Sequence, residues 1–257
     1  MVTFLLKKSY QLKNLKEVKF KDLWEHHGIF TTMWIFGNPP KILFFDNHIR
    51  NLIKSLIKYK INKQFLRKHI IKVINENLSK KTNYNHLLRV AINRKIISIS
   101  LRKRLTPKLD FSLKLVDLKR NKPEYKNLKY KKILSHLKKI DNSRVDIGIV
   151  NRSKILETGT SNLLFIKNQK VFTPKKNYYQ GQTYKYLRSK IKNIIKKDIF
   201  VKDLKDYDEI ILLGSGKGVT PVKRINQINW KRKGLKFYRI FLNHYKFAIK
   251  KCKIYKF

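Results

Sequence analysis

The sequence predicts two lobes that each mix helices and strands, an α/β class of fold divided near residue 120. Three observations carry this. Ile97, Ile99 and Leu101 alternate with Ser98 and Ser100, the period-two pattern of a half-buried antiparallel strand. Ile49, Leu52, Ile53, Leu56 and Ile57 recur at the three-and-four spacing of a helical face. Between such segments, Lys119 to Pro123 carries charge and a proline and breaks the pattern. The expected lobes are therefore residues 1–118 and 123–257, joined by a linker over 119–122.

At 257 residues the chain is long enough to bury a full core. It holds 62 Lys and Arg against 16 Asp and Glu, a net charge of +46, which by itself suggests nucleic acid or an anionic membrane surface. The excess is almost all Lys, however, accompanied by abundant Ile, Asn, Phe and Tyr, and the only alanines are Ala91 and Ala248. Residues with AT-rich codons replace those with GC-rich codons throughout. A nucleic-acid footprint would cluster its charge, whereas this chain spreads it, so nucleic-acid binding is a remote alternative. The single cysteine, Cys252, allows neither a disulfide framework nor a thiolate metal site, and points to a reducing cytosol. Val2 to Leu6 is too short for a secretory h-region and no run approaches the ~20 apolar residues of a spanning helix, so a cytoplasmic protein without a membrane partner is expected.

Along the first lobe, residues 1–27 offer one strand. Adjacent His26 and His27 point apart in any regular structure and have no further ligand at metal spacing. Gly28 to Phe36 reads as a strand entering the turn Gly37-Asn38-Pro39-Pro40. Asp46 is the expected N-cap of the first helix. Phe65, Leu66, Ile70, Val73 and Ile74 mark a second, followed by strands over 86–94, 95–101 and 111–118. Arg89 is a charge embedded in an apolar strand, either a carboxylate binder or half of a structural ion pair.

In the second lobe, Leu128, Ile133, Leu134, Leu137 and Ile140 predict a helix whose first turn holds Lys126 to Tyr130. Residues 146–183 are the organising stretch. Ile147 and Ile149 alternate with small or polar neighbours, Asn162 to Ile166 is a second apolar run, and Asn168-Gln169 forms the turn into Val171-Phe172. Glu157 is the sole carboxylate between Asp146 and Lys196, and an acid among strands requires a cationic partner. Gly181-Gln182-Thr183 then opens a run with Leu187, Ile191, Ile194 and Ile195 on one face, which makes a helix N-terminus suited to an anion. An acid near a phosphate-like site suits a cofactor with both a ring cation and a phosphate, and pyridoxal 5′-phosphate (PLP) has both. Glu209 to Leu213 is a strand running into Gly214-Ser215-Gly216-Lys217-Gly218, which fails the nucleotide P-loop at both ends, at Ile211 and Gly218. Phe237, Ile240, Phe241, Phe247 and Ala248 mark a final helix.

The order of these segments resembles the class IV PLP-dependent aminotransferase family, from about Gly28 to Pro221. The family's K-x-L-N-[YLR] is similar to Lys126-Asn127-Leu128-Lys129-Tyr130, with Lys129 in place of asparagine. V-T-E is similar to Ile155-Leu156-Glu157, [SE]-N-L-F to Ser161-Asn162-Leu163-Leu164-Phe165, T-P to Thr173-Pro174, and G-I-T-R to Gly181-Gln182-Thr183-Tyr184. The resemblance implies the two-domain D-amino-acid aminotransferase-like fold, a homodimer, and PLP. It further implies Lys126 as the covalent attachment point and base, Glu157 at the ring nitrogen and Tyr130 at the ring hydroxyl. The phosphate falls to Gly181, Gln182, Thr183, Ser215 and Gly216. In H-x-x-R-L the family's arginine grips the phosphate; His48-Ile49-Arg50-Asn51-Leu52 has Asn51 there, with Arg50 one position away as the neighbouring candidate. Arg89 and Thr32 are the expected substrate contacts.

Phe30-Thr31-Thr32 bears on the reaction. Aminodeoxychorismate lyases of this family carry F-[TD]-T, branched-chain aminotransferases F-E-G and D-amino-acid aminotransferases Y-E-V, and Trp34 stands where many transaminases have arginine. The resemblance thus implies the lyase that makes 4-aminobenzoate and pyruvate in folate biosynthesis, with a branched-chain or D-amino-acid aminotransferase as the alternative.

Overall fold

The computed structural model describes residues 3–61, 64–191 and 193–257. The chain divides into two compact units: residues 1–104, 125–130 and 251–257 form unit 1, and residues 105–124 and 131–250 form unit 2.

Unit 1 holds strands β1 (Phe4–Gln11), β2 (Glu17–Val18), β3 (Gly28–Gly37) and β4 (Lys41–Ile42), helices α1 (Phe45–Lys58) and α2 (Leu66–Asn77), then β5 (Tyr84–Asn93) and β6 (Ile96–Lys103). The strands make one antiparallel sheet in the order β2-β1-β6-β5-β3-β4. The period-two pattern puts Met33, Ile35, Leu88, Val90, Ile97, Ile99 and Leu101 on one face, where Ile49, Leu52 and Leu56 of α1 and Ile70, Val73 and Ile74 of α2 complete the core. Thr31 on this buried face bonds His48 of α1, Oγ1 to Nδ1, at 2.8 Å.

Two helix starts differ from expectation. Phe44, with a left-handed φ of 58°, occupies the N-cap position of α1 without a side-chain cap, and Asp46 falls in the first turn, where its charge still favours the helix dipole. Phe65 precedes α2 in the same conformation and is 61% exposed, so it lies outside the helix's buried face. Ile57 is likewise exposed.

Unit 2 holds β7 (Ser112–Asp117), α3 (Lys131–Leu137), β8 (Val145–Asn151), β9 (Lys154–Thr158), β10 (Asn162–Lys167), β11 (Lys170–Pro174), α4 (Gln182–Lys190), β12 (Ile194–Lys197), β13 (Glu209–Gly214), β14 (Gly218–Pro221), β15 (Arg224–Ile225), β16 (Trp230–Lys231) and α5 (Lys236–Lys250). They form two five-stranded sheets, β12-β11-β10-β13-β14 and β16-β15-β7-β8-β9. Leu113 and Ile155 from the second sheet meet Leu163, Phe165, Ile210 and Leu212 from the first in one shared core. The expected turn at Asn168-Gln169 is present, both residues having positive φ, as a two-residue hairpin with right-handed strand twist requires. The expected run from Leu187 to Ile195 is two elements: α4 ends at Lys190, and Ile194 and Ile195 belong to β12, which pairs in parallel with β11. Glu209 accepts the amides of Phe237 and Tyr238, both at 2.9 Å, and so caps α5. On α5, Phe241 and Ala248 are buried but Ile240 and Phe247 are exposed.

The expected boundary at 119–122 falls inside unit 2. Residues 112–117 pair in parallel with β8, which assigns them to unit 2 rather than to the first lobe. Residues 126–130 go the other way. They are not a helical turn, and instead lie along β3, with Phe30 N donating to Lys126 O at 2.9 Å and Leu128 N to Gly28 O at 3.0 Å. Gly28 is what permits this approach: a Cβ there would stand 2.3 Å from Ile92 O and 2.6 Å from Leu128 Cδ1. Gly28→Ala is therefore expected to lower stability by about 3 kcal/mol, the scale of a forced overpacking, as read from urea unfolding. An unchanged midpoint would show that the 126–130 segment is free to move aside.

Candidate active site

In unit 1 the sheet face opposite the core carries Phe30, Thr32 and Trp34 on β3, with Ala91, Arg89 and Leu87 facing them in register on β5. Phe30 is the centre of an aromatic cluster. Trp24 meets it edge-on at 5.1 Å and Tyr130 at 5.4 Å, and Trp24 stacks on Tyr130 at 5.9 Å. Lys126 Nζ lies 5.0 Å from the Phe30 ring centre and the Arg89 guanidinium 5.4 Å from it, so the two cations share one ring. Arg89 also stacks 3.8 Å over Trp24. It donates to Asp22 O at 2.7 Å and pairs with the Asp22 carboxylate at 3.5 Å, while its Nε is buried without a hydrogen-bond partner. Burial pulls the Arg89 pKa down to about 10, against the opposing pull of Asp22. Of the two readings of this residue, the structure contains the ion pair, although its acid is half exposed.

Unit 2 assembles a second cluster around the β9–β10 turn. Glu157 on β9 pairs with Arg120, each side chain under a tenth exposed, and Glu157 Oε2 also accepts Tyr179 N at 3.3 Å. Arg120 is the cationic partner the buried acid requires. Asn162 clamps the segment ahead of α4, donating to Tyr179 O at 2.5 Å and accepting Gly181 N at 2.9 Å. Asp146, wholly buried, accepts Thr158 Oγ1 at 2.8 Å, Thr160 Oγ1 at 2.5 Å and Ile147 N at 2.8 Å. Burial raises its pKa, while the Lys217 charge and these hydrogen bonds pull it back. Lys217 itself is buried and donates to Asn142 O. The β9–β10 turn touches the next glycine loop: a Cβ on Gly214 would lie 2.7 Å from Ser161 Oγ and 3.0 Å from Thr160 O. Asp146 thus braces the turn against which the 214–216 segment rests.

The N-terminus of α4 fits a phosphate. Gly181 is its N-cap with no side-chain cap bond, and Thr183 in the first turn is 1% exposed with its hydroxyl buried and without a hydrogen-bond partner. Amides at a helix start and an orphaned hydroxyl are donors that an anion satisfies.

Lys126, Tyr130, Arg89 and Thr32 thus belong to the unit 1 face, and Glu157, Gly181, Gln182, Thr183, Ser215 and Gly216 to unit 2. Ser215 and Gly216 are half-buried in the turn between β13 and β14. Arg50 is not brought to either cluster: it is exposed on α1, which covers the other face of the sheet, because a one-residue step turns about 100° around a helix. Sequence reasoning missed Arg120, Asp146 as a brace, and Lys217. The isolation of Glu157 signalled that a cation was needed, but nothing in the letters chose one among 62. Among the described residues no cluster of His, Cys, Asp and Glu can hold a metal ion, and no helix is long and apolar enough to cross a membrane.

Comparison with known proteins agrees with the fold. The family model for amino-transferase class IV matches residues 28–225. A search of curated protein sequences returned no match. Among solved structures, the branched-chain aminotransferase of Thermoproteus uzoniensis is similar at 15% identity with a TM-score of 0.78, covering 95% of each chain. A hypothetical aminotransferase from Mycobacterium tuberculosis in its PLP-bound form is similar at 15% identity and a TM-score of 0.71, covering 95% of this chain and 99% of that one. A protein assigned as a 4-amino-4-deoxychorismate lyase from Legionella pneumophila is similar at 19% identity and a TM-score of 0.67, covering 85% of this chain and 91% of that one. At these identities the likeness shows the fold, and the family match, which spans well over half of the chain, shows the membership. The chain belongs to the class IV aminotransferases and is a PLP-dependent enzyme of that family.

Proposed function

We propose that the protein is an aminodeoxychorismate lyase, converting 4-amino-4-deoxychorismate to 4-aminobenzoate and pyruvate. The observation that carries the reading is Thr32, whose hydroxyl-bearing side chain shares the sheet face, and the register, of Arg89, beside the Phe30 ring on which Lys126 rests. Bound PLP supplies an aldehyde that captures the substrate amine and a ring that draws electrons from the amine-bearing carbon. Lys126 would hold the cofactor, and its Nζ would accept the proton from that carbon. Glu157 would keep the ring nitrogen of a bound PLP protonated, Tyr130 would orient its ring hydroxyl, and the α4 N-terminus with Ser215 and Gly216 would hold its phosphate. Arg89 takes a substrate carboxylate in exchange for Asp22. Thr32 orients the departing enolpyruvyl group, whose C–O bond breaks as the ring becomes aromatic. The enolpyruvate then gains a proton and becomes pyruvate, so substrate and products balance with no amino acceptor. A homodimer in the cytosol, serving folate synthesis, belongs to the same reading.

Purified PLP-loaded protein given aminodeoxychorismate alone is expected to release 4-aminobenzoate and pyruvate in equal amounts. Thr32→Val is expected to slow turnover by about 10²-fold, the usual worth of a positioned proton-relaying group, while PLP affinity stays within a few-fold. Amino transfer from glutamate or a branched-chain amino acid, with ping-pong kinetics and no acceptor-free lyase activity, would overturn the proposal in favour of a transaminase.

A further inference from the structure

We propose that Arg102 and Arg89 form a two-guanidinium anion site on the open sheet face of unit 1, and that Arg102 selects substrates bearing two carboxylates over those bearing one. The β5–β6 register pairs Arg89 with Ser100 and Leu87 with Arg102, so both arginines project from the face that also carries Thr32 and Trp34. They are diagonal neighbours on adjacent strands, a separation of about 7–8 Å between backbones. Lys7 of β1 stands opposite Ser100 on the same face. With Lys126 beside Phe30 and Arg104 over Trp34, this surface is strongly cationic, and the acid paired with Arg89, Asp22, is half exposed and reaches it only at 3.5 Å. Among the described residues no carboxylate pairs with Arg102, although it is partly buried in the sheet.

A guanidinium withdrawn from water without a counter-ion destabilises the protein, and an arriving carboxylate removes that cost through a bidentate, charge-assisted contact. Burial lowers the pKa of Arg102 and of Arg89, in agreement with two desolvated charges facing one another. A substrate with one carboxylate satisfies Arg89 and leaves Arg102 as it was. One with a second carboxylate about a sheet diagonal away satisfies both. The inference rests on the reading of Lys126 as the reacting amine, because Lys126 and Arg89 flank the same ring.

The test uses PLP-loaded protein and two inert probes, isophthalate with two carboxylates and benzoate with one, titrated by calorimetry and by the fluorescence of Trp24 beneath Arg89. Wild-type protein is expected to bind isophthalate about tenfold or more tightly over benzoate, the worth of one added charge-assisted hydrogen bond. Arg102→Met should bring the two affinities together while benzoate binding is unchanged, and Arg89→Met should weaken both. If Arg102→Met does not fold, as judged by its thermal melt, Arg102→Gln carries the same expectation. An isophthalate preference that survives either substitution, or is missing from wild type, overturns the proposal. Borohydride labelling separates this from the reading beneath it. Label away from Lys126 with the preference lost in the variant sinks the lyase and keeps the anion site; label on Lys126 with the preference intact sinks the anion site alone.

Discussion

Lys126→Ala is expected to lower turnover by about 10⁴-fold, the combined scale of losing the covalent anchor and the positioned base. Lys126 is one of many lysines, and its backbone is anchored to β3. Its carbonyl accepts Phe30 N at 2.9 Å, and two residues on, Leu128 N donates to Gly28 O at 3.0 Å. This fastens the segment to the outer side of β3, next to the edge of a six-stranded sheet, and brings Nζ to 5.0 Å from the Phe30 ring centre. A group that must first bind the cofactor and then meet a proton on a defined carbon benefits from such rigidity. A small primary amine added to the assay should restore part of the activity, which separates loss of the amine from loss of the fold. Lys129, on the same segment as Lys126 and donating through Nζ to Glu25 O, is the control, and Lys129→Ala should retain turnover. Borohydride reduction of the wild-type protein with PLP, followed by peptide mapping, should place the label on Lys126. Label on Lys129 or Lys122, or a Lys126→Ala enzyme of near-normal activity, contradicts the assignment.

Glu157→Gln should fail in two separable ways. Its carboxylate neutralises Arg120 in a pair almost closed to water, so removing the charge leaves a buried guanidinium and is expected to cost about 3–5 kcal/mol of stability. The second loss is chemical. An uncharged amide no longer stabilises a protonated ring nitrogen, and turnover should fall by about 10²-fold or more, as when a preorganised charge is removed from a reacting centre. The Arg120→Met, Glu157→Gln double variant distinguishes the two. It removes both charges together, so stability should largely return while turnover stays low. Recovery of both in the double variant would show that Glu157 serves the fold alone.

Much of the architecture was legible in the letters because its cause is local. Alternation along β3, β5 and β6 sorts each strand into a core face and an open face, and this assigns Thr31 to His48 and Thr32 to the side of Arg89. The Asn168-Gln169 hairpin is likewise set locally, by a two-residue turn with positive φ at both positions. Motif order identified the family, and the family match over residues 28–225 agrees with it.

What the letters alone could not decide depends on partners distant in sequence. The apolar spacing after Leu128 reads as helical from Lys126 onward, yet Lys126 to Tyr130 extends along β3, because hydrogen bonds to Gly28 and Phe30 outweigh the weak helical preference of one turn. Ser112 to Asp117 follows the first lobe in sequence but joins unit 2 through its parallel pairing with β8. Arg120 lay in a stretch that reads as a linker, and only the folded chain brings it 37 residues along to Glu157. Composition and periodicity determined which faces are apolar and which turns are tight, since those follow from each residue and its neighbours. The choice of Arg120 for Glu157, of Asp146 as the brace of the β9–β10 turn, and of Arg102 as the companion of Arg89 belongs to tertiary structure, because strand register sets which charges meet.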